Sequence, residues 1–181
     1  EKLYQMVENG CEFAVVESSS HGLSKRTNRL GDVDFDVGVM MNVTSEHLEF
    51  HGTYEQYRDD KANLFENLNL FGVVNGDDKA SSLFASKTEK PVYSFIKDKT
   101  SAKEIFTENY FMTDIKSDAK GEDFSLEVIN QCDIKKLEDF RIDLPGTFNV
   151  YNSTAAAIVV SKLLNITLEE LKPALKALTP V

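Results

Sequence analysis

Phe13-Ala14-Val15-Val16 leading into Glu17-Ser18-Ser19-Ser20-His21-Gly22, and Val37-Gly38-Val39-Met40-Met41 leading into Asn42-Val43-Thr44-Ser45-Glu46-His47, are the stretches from which the fold is read. Each is a short apolar run that stops abruptly at a polar cluster. Runs of this length without polar alternation fit strands buried on both faces. Residues 70–75 and 91–95 repeat the pattern, with helical segments between the runs. That rhythm predicts an α/β fold, a mostly parallel sheet flanked by helices. In such sheets ligands collect beyond the carboxyl ends of the strands, so Glu17 and His47 are expected to converge.

The segment after the second run carries a misplaced cation. On a 3.6-residue period Tyr54, Tyr57, Lys61, Leu64, Phe65 and Leu68 form one stripe. Glu55, Gln56, Arg58, Asp59, Asp60, Asn63 and Glu66 form the opposite, solvated face. Thr53, with Gln56 three residues on, reads as the capping box that opens this helix. Lys61 is therefore expected in the middle of the buried face, and two readings are open. One is snorkelling, with a packed stem and an ammonium that reaches water. The other starts from desolvation, which penalises the charged amine. A neutral amine can add carbon dioxide and become a carbamate, an anion that needs a metal ion or a cation beside it. Glu17 and His47 are candidate metal ligands, and an acidic, oxygen-rich set of this kind suits Mg²⁺.

Composition narrows the function classes. The 181 residues suffice for one domain with a proper core. A net charge of −10 argues against a nucleic-acid surface, which needs basic patches. No apolar run is long enough for a membrane span, and Glu1-Lys2-Leu3-Tyr4-Gln5 lacks the order of a signal peptide. Cys11 and Cys132 read as free, buried thiols, which fits a reduced, cytoplasmic setting; the protein is expected to be a monomer. Anionic ligands would have to be held locally, by Mg²⁺, backbone N–H groups and placed arginines. Lys25-Arg26-Thr27-Asn28-Arg29 is a basic knot in this acidic chain, readable as a solvated loop or as an anion clamp. His21 and His51, each beside a glycine, read as hydrogen-bonded structural histidines.

The second half changes character. Phe124, Leu126 and Val128 alternate, as do Phe140, Ile142 and Leu144, which predicts a small antiparallel sheet attached to the parallel one. Asn75-Gly76-Asp77-Asp78 and Lys120-Gly121-Glu122-Asp123 are turn sequences. Gly146-Thr147 opens a long helix from 148 to about 164. Asn149 and Asn152 share one side of its first turn, where they either cap the end or read a purine edge. Thr167 and Glu170 form another capping box, opening a final helix that Pro173 should kink.

Three motifs, Glu17-Ser-Ser-Ser-His-Gly-Leu, Asn42-Val-Thr-Ser-Glu-His-Leu-Glu-Phe-His-Gly and Tyr57-Arg-Asp-Asp-Lys-Ala-Asn-Leu-Phe65, resemble in this order the central domain of the Mur ligases. Leu144-Pro-Gly-Thr-Phe-Asn-Val-Tyr-Asn-Ser-Thr-Ala-Ala156 resembles the same family's adenine-side motif. The two His-Gly pairs look most like the members that add the third peptide residue. The resemblance implies an ATP-dependent amide ligase of peptidoglycan synthesis acting through an acyl-phosphate. Its substrates would be UDP-N-acetylmuramoyl-L-alanyl-D-glutamate and an amino acid: diaminopimelate, lysine or ornithine. It implies catalytic and metal roles for Glu17, His47 and a carbamylated Lys61. Substrate contacts fall to Ser19, Ser20 and Arg29, with Arg26 as the alternative arginine, and nucleotide contacts to Asn149 and Asn152. Glu46 and Glu49 stand where the family usually has aspartates. The family's glycine-rich phosphate loop is missing from the chain. Residues 1–181 are thus expected to be an excised part of the central ATP-binding domain, inactive alone. A folylpolyglutamate or cyanophycin-type ligase, and a non-catalytic α/β binding domain, are the alternatives.

Overall fold

The computed structural model describes residues 2–44, 48–130 and 133–179. Six strands form one sheet in sequence order: β1 (Val37–Met40), β2 (Phe71–Asn75), β3 (Val92–Ile96), β4 (Glu108–Asp118), β5 (Gly121–Ile129) and β6 (Ile134–Ile142). β1 to β4 pair in parallel, and β4, β5 and β6 pair antiparallel. The alternating second half is therefore a continuation of the parallel sheet rather than a separate one. The long strand β4 joins the two parts, paired with β3 on one side and β5 on the other.

Period-two alternation distributes the core over both faces. Phe71 and Val73 of β2 pack in a cluster with Phe95, Phe140, Val150 and Ile158. Val74, next along, joins Phe65, Phe84 and Val92 in a second cluster. Helix α6 (Thr147–Leu164) covers the first face. The second is covered by α4 (Tyr54–Ala62), the 3₁₀ turn that follows it, and α5 (Ser81–Ser86). Phe65 is wholly buried, a burial that stabilises by roughly 1.5–3 kcal/mol.

The C-terminal ends of the strands are tied together by side chains of the Asn75–Asp78 turn. Asn75 Nδ2 donates to the Met41 carbonyl at 3.0 Å, and Asp78 accepts from the Val43 N–H at 2.9 Å. Asp77 accepts from the Lys97 N–H at 2.7 Å and from the Tyr151 hydroxyl at 3.3 Å. One short turn thus joins the ends of β1, β2 and β3 to α6.

Several expectations need correction. Residues 13–16 are not a buried strand: they make no ladder, and Phe13 and Val15 are 55% and 101% exposed. An apolar run becomes a strand only where a neighbour supplies backbone partners, and among the described residues β1 is the edge of the sheet. Asp60 is buried rather than solvated, because a histidine and a glutamine satisfy its carboxylate. Cys11 is exposed, since the helix before it, α1 (Lys2–Glu8), buries none of its residues; Cys132 lies outside the described residues. The capping box at Thr167 and Glu170 forms, with the Thr167 N–H 2.8 Å from the carboxylate. The helix nevertheless starts later, as α7 (Lys172–Lys176), with Pro173 in its first turn, where proline loses no hydrogen bond.

Candidate functional site

The site is built where β1 ends. Beyond Met40 the chain runs through Asn42 and Val43, and Lys61 comes back to it from α4. Lys61 is half-buried, and its Nζ donates to the Tyr57 hydroxyl at 3.2 Å and to the Asn42 carbonyl at 3.3 Å. Among the described residues the ammonium has no carboxylate partner. The head meets, among the described residues, two neutral oxygens and the Tyr57 ring, a geometry between full burial and snorkelling. Thr53 caps α4 by accepting from the Gln56 N–H at 3.1 Å, so the expected capping residue sets the phase that brings Lys61 here.

Glu17 and Lys61 line one cavity of about 830 Å³, together with Ser18, Asn42, Met40 and Leu64. Two of the three residues expected to share a metal ion therefore face the same space. His47 and Glu46 lie outside the described residues. Among the described residues no three His, Cys, Asp or Glu side chains cluster to hold a metal ion. The polar residues that line this mostly apolar cavity beside Lys61 include Glu17, Ser18 and Asn42, which carry the oxygen chemistry that magnesium takes.

Helix α2 (Ser20–Leu23) holds the serines. Ser19 is exposed and caps it, accepting from the Gly22 N–H at 3.2 Å. Ser20 is buried, and its Oγ lies 3.0 Å from His51 Nε2. His51, from α3 (Leu48–His51), places Nδ1 2.8 Å from Asp60 Oδ2. Gln56 Nε2 donates to the other carboxylate oxygen at 3.1 Å. A buried serine–histidine–aspartate chain thus runs from the serine loop to the residue before Lys61. The structural reading of His51 holds, but its partners were not visible in the sequence, because they lie 31 and 9 positions away. The His21 ring sits 4.0 Å from that of Phe50 and 5.4 Å from that of His51.

The basic knot divides its labour. Lys25 pairs with Glu66 at 2.8 Å, and Lys87 reaches the same carboxylate at 3.1 Å. Burial raises the Glu66 pKa, but hydrogen bonds and charge from the two lysines outweigh it and hold the carboxyl below its usual range. Arg26 lies over the Phe50 ring, 3.9 Å from its centroid, and donates to the Phe50 carbonyl at 3.0 Å. Arg29 is exposed and, among the described residues, has no ion-pair partner.

The nucleotide candidates stand at the start of α6. Asn149 Nδ2 donates back to the Pro145 carbonyl at 3.0 Å, a capping contact. Asn152 is exposed. Glu122, wholly buried, accepts from the Gly146 N–H at 2.7 Å and so fixes this end of the helix. Lys120-Gly121-Glu122-Asp123 reads as a turn, and nothing in the spacing of Glu122 marks this role.

Relatives place these features in a family. The Mur ligase middle domain matches residues 1–160. The chain is 45% identical over 175 residues to a UDP-N-acetylmuramyl-tripeptide synthetase of Treponema denticola, covering 90% of this chain and 32% of the relative. It is 34% identical over 176 residues to the UDP-N-acetylmuramoyl-L-alanyl-D-glutamate–2,6-diaminopimelate ligase of Caldanaerobacter subterraneus, covering 96% of this chain and 33% of the relative. The chain thus spans about a third of the length of the curated relatives it matches. Among solved structures, an FPGS–AMPPCP complex superposes with a TM-score of 0.71 over 98% of this chain and 42% of its own, at 19% identity. MurF from Acinetobacter baumannii gives 0.60 over 82% and 30%, at 18% identity. These two carry the fold alone. Among the described residues no helix is long and apolar enough to cross a membrane. With the family pattern running from α1 into α6, across the sheet, the serine loop and the Lys61 helix, this chain belongs to the Mur ligase family as its middle domain.

Proposed function

We propose that this chain is the central, ATP-binding part of a longer cytoplasmic ligase that joins an amino acid to UDP-N-acetylmuramoyl-L-alanyl-D-glutamate, and that it is inactive alone. The observation that carries this reading is the shared cavity of Glu17 and Lys61, in a chain 45% identical to a tripeptide synthetase. A D-glutamyl carboxylate oxygen attacks the γ-phosphorus of ATP, the bond to the bridging oxygen breaks, and ADP departs. The amine of the incoming residue then attacks the acyl carbon, phosphate leaves, and the amine gives up its proton.

This chain's residues would bind and orient in both steps. Arg29, without an ion-pair partner among the described residues, would offer its guanidinium to the anionic muramoyl peptide, and Ser19 lies exposed on the same loop with Ser20 behind it. Asn152 would present its amide to the adenine side, and Asn149 the oxygen that its contact with Pro145 leaves. Glu17, His47 and a carbamate on Lys61 would hold Mg²⁺, which when bound offsets repulsion between the nucleotide phosphates and the carboxylate. Tyr57 and the Asn42 carbonyl orient the Lys61 amine toward the cavity.

The test is Lys61→Arg in the complete protein. Arginine keeps charge and length but stays protonated and cannot form a carbamate. Ligation is expected to fall by about 10²-fold or more, with the melting temperature nearly unchanged. A Lys61→Arg protein as active as the wild type would sink the carbamate role. A complete wild-type protein that consumes no ATP with the muramoyl dipeptide and any of the three amino acids would sink the ligase reading itself.

A further inference from the structure

The Asp60–His51–Ser20 chain is more than a buried polar contact. Asp60, His51 and Ser20 are 5%, 7% and 4% exposed. Both Asp60 oxygens are occupied, one by Gln56 and one by His51. His51 Nδ1 lies 2.8 Å from one Asp60 oxygen and Nε2 lies 3.0 Å from the Ser20 hydroxyl, so both ring nitrogens are engaged. Orientation is fixed at both ends. The ring is also wedged edge-on between Phe50 at 4.7 Å and Tyr57 at 5.3 Å, and Tyr57 is the residue whose hydroxyl holds Lys61. The first residue of α2 is thereby locked to the turn of α4 that carries Lys61.

We infer that His51 and Ser20 are positioning residues, which set the loop bearing Glu17, Ser19 and Arg29 at a fixed distance from Lys61. This rests on the ligase reading above for its consequence and on the hydrogen-bond chain alone for its geometry. Ser20 acts through the loop, not by touching substrate. Glu17 and Ser19 lie three and one residues before it, and Arg29 nine after it. Among the described residues the loop is also tied to the 3₁₀ turn that follows α4, by the half-exposed ion pair of Lys25 with Glu66 and by Asn63 Nδ2 on the Leu23 carbonyl at 3.0 Å.

Two readouts on the complete protein test the inference, using His51→Asn, Ser20→Ala, their double variant, and Asp60→Asn. Trypsin cleavage after Arg26 and Arg29 reports the loop whether or not the protein is a ligase. His51→Asn and Ser20→Ala are each expected to speed it about tenfold, while Asp60→Asn, which keeps an oxygen beside Nδ1, stays near wild type. In steady-state kinetics corrected for folded fraction, both single variants are expected to raise KM for the UDP-muramoyl dipeptide about tenfold. KM for ATP should stay unchanged. The double variant should be no worse than the worse single one, because one chain is broken once. Unchanged loop cleavage, equal shifts in both KM values, or multiplying effects in the double variant would each overturn the inference. If the wild type shows no ligation, the ligase reading falls and the cleavage rates alone decide the positioning role.

Discussion

Glu122 Oε1 accepts the Gly146 N–H at 2.7 Å from a position only 1% exposed. Its second oxygen accepts from the Ser117 hydroxyl at 2.5 Å. The carboxylate therefore sits at the N-terminus of the 18-residue helix α6, where the helix dipole favours negative charge. Gly146 holds φ at +108°, a conformation few other residues adopt. Glu122→Ala removes the acceptor and leaves a backbone N–H unpaired, so stability is expected to fall by ~2–3 kcal/mol. Glu122→Gln, which keeps an oxygen, should lose less. Urea unfolding of the two variants gives the comparison, and equal losses would contradict a specific role for the accepted N–H.

The contact between β2 and the Lys61 segment is tight enough to be read by one methyl group. A Cβ on Gly72 would stand 2.4 Å from Phe65 Cε1, in the middle of a buried cluster. Gly72→Ala is expected to destabilise by ~1–3 kcal/mol through overpacking. Adding Phe65→Leu, which makes room, should return part of that loss. A double variant no more stable than Gly72→Ala alone would mean that the strain lies elsewhere.

Acid stability should carry the mark of Asp118. Hydrogen bonds from Arg141 are the largest influence on its carboxyl and pull its pKa from 3.8 to about 2, while Asp118 in turn raises that of Arg141. A depressed folded pKa contributes stability that is present above the unfolded value and lost as pH falls through the folded one. Stability should therefore decline between about pH 4 and pH 2, and Asp118→Asn should flatten that decline. Denaturation midpoints measured at intervals across this range decide it. Slopes of equal steepness in the two proteins would rule out this pair as a cause.

Arg26 and Arg29 should separate cleanly. Arg26 is committed to the Phe50 ring and carbonyl, so Arg26→Met should cost ~0.5–1 kcal/mol of stability and spare KM. Arg29→Met should leave the melting temperature alone and raise KM for the muramoyl dipeptide in the complete protein by about 10- to 100-fold. The reverse pattern would exchange the two assignments.

Much of this was legible beforehand, and the reasons differ by residue. The runs at 37–40, 71–75 and 92–96 are short, apolar and followed by polar turns, so their strands were readable from local pattern. The contacts at Thr53 and Thr167 obey a three-residue rule and both form, although only Thr53 opens a helix directly. Residues 13–16 have the same composition as the true strands and were misread, because composition does not say whether a partner strand is present. Asp60 was misassigned because helical phase sees only the helix. Its burial comes from His51, which approaches from across a turn.

Local sequence determined the family and the order and type of most elements, since motifs and periodicities are properties of neighbouring residues. Only the tertiary structure decided which of those groups meet. Glu17 faces the cavity of Lys61, Arg26 is taken by Phe50, Arg29 is exposed, and Ser20 is joined to Asp60 through an imidazole. Those pairings depend on distance in space between residues up to 44 positions apart, and a one-dimensional pattern holds no measure of it.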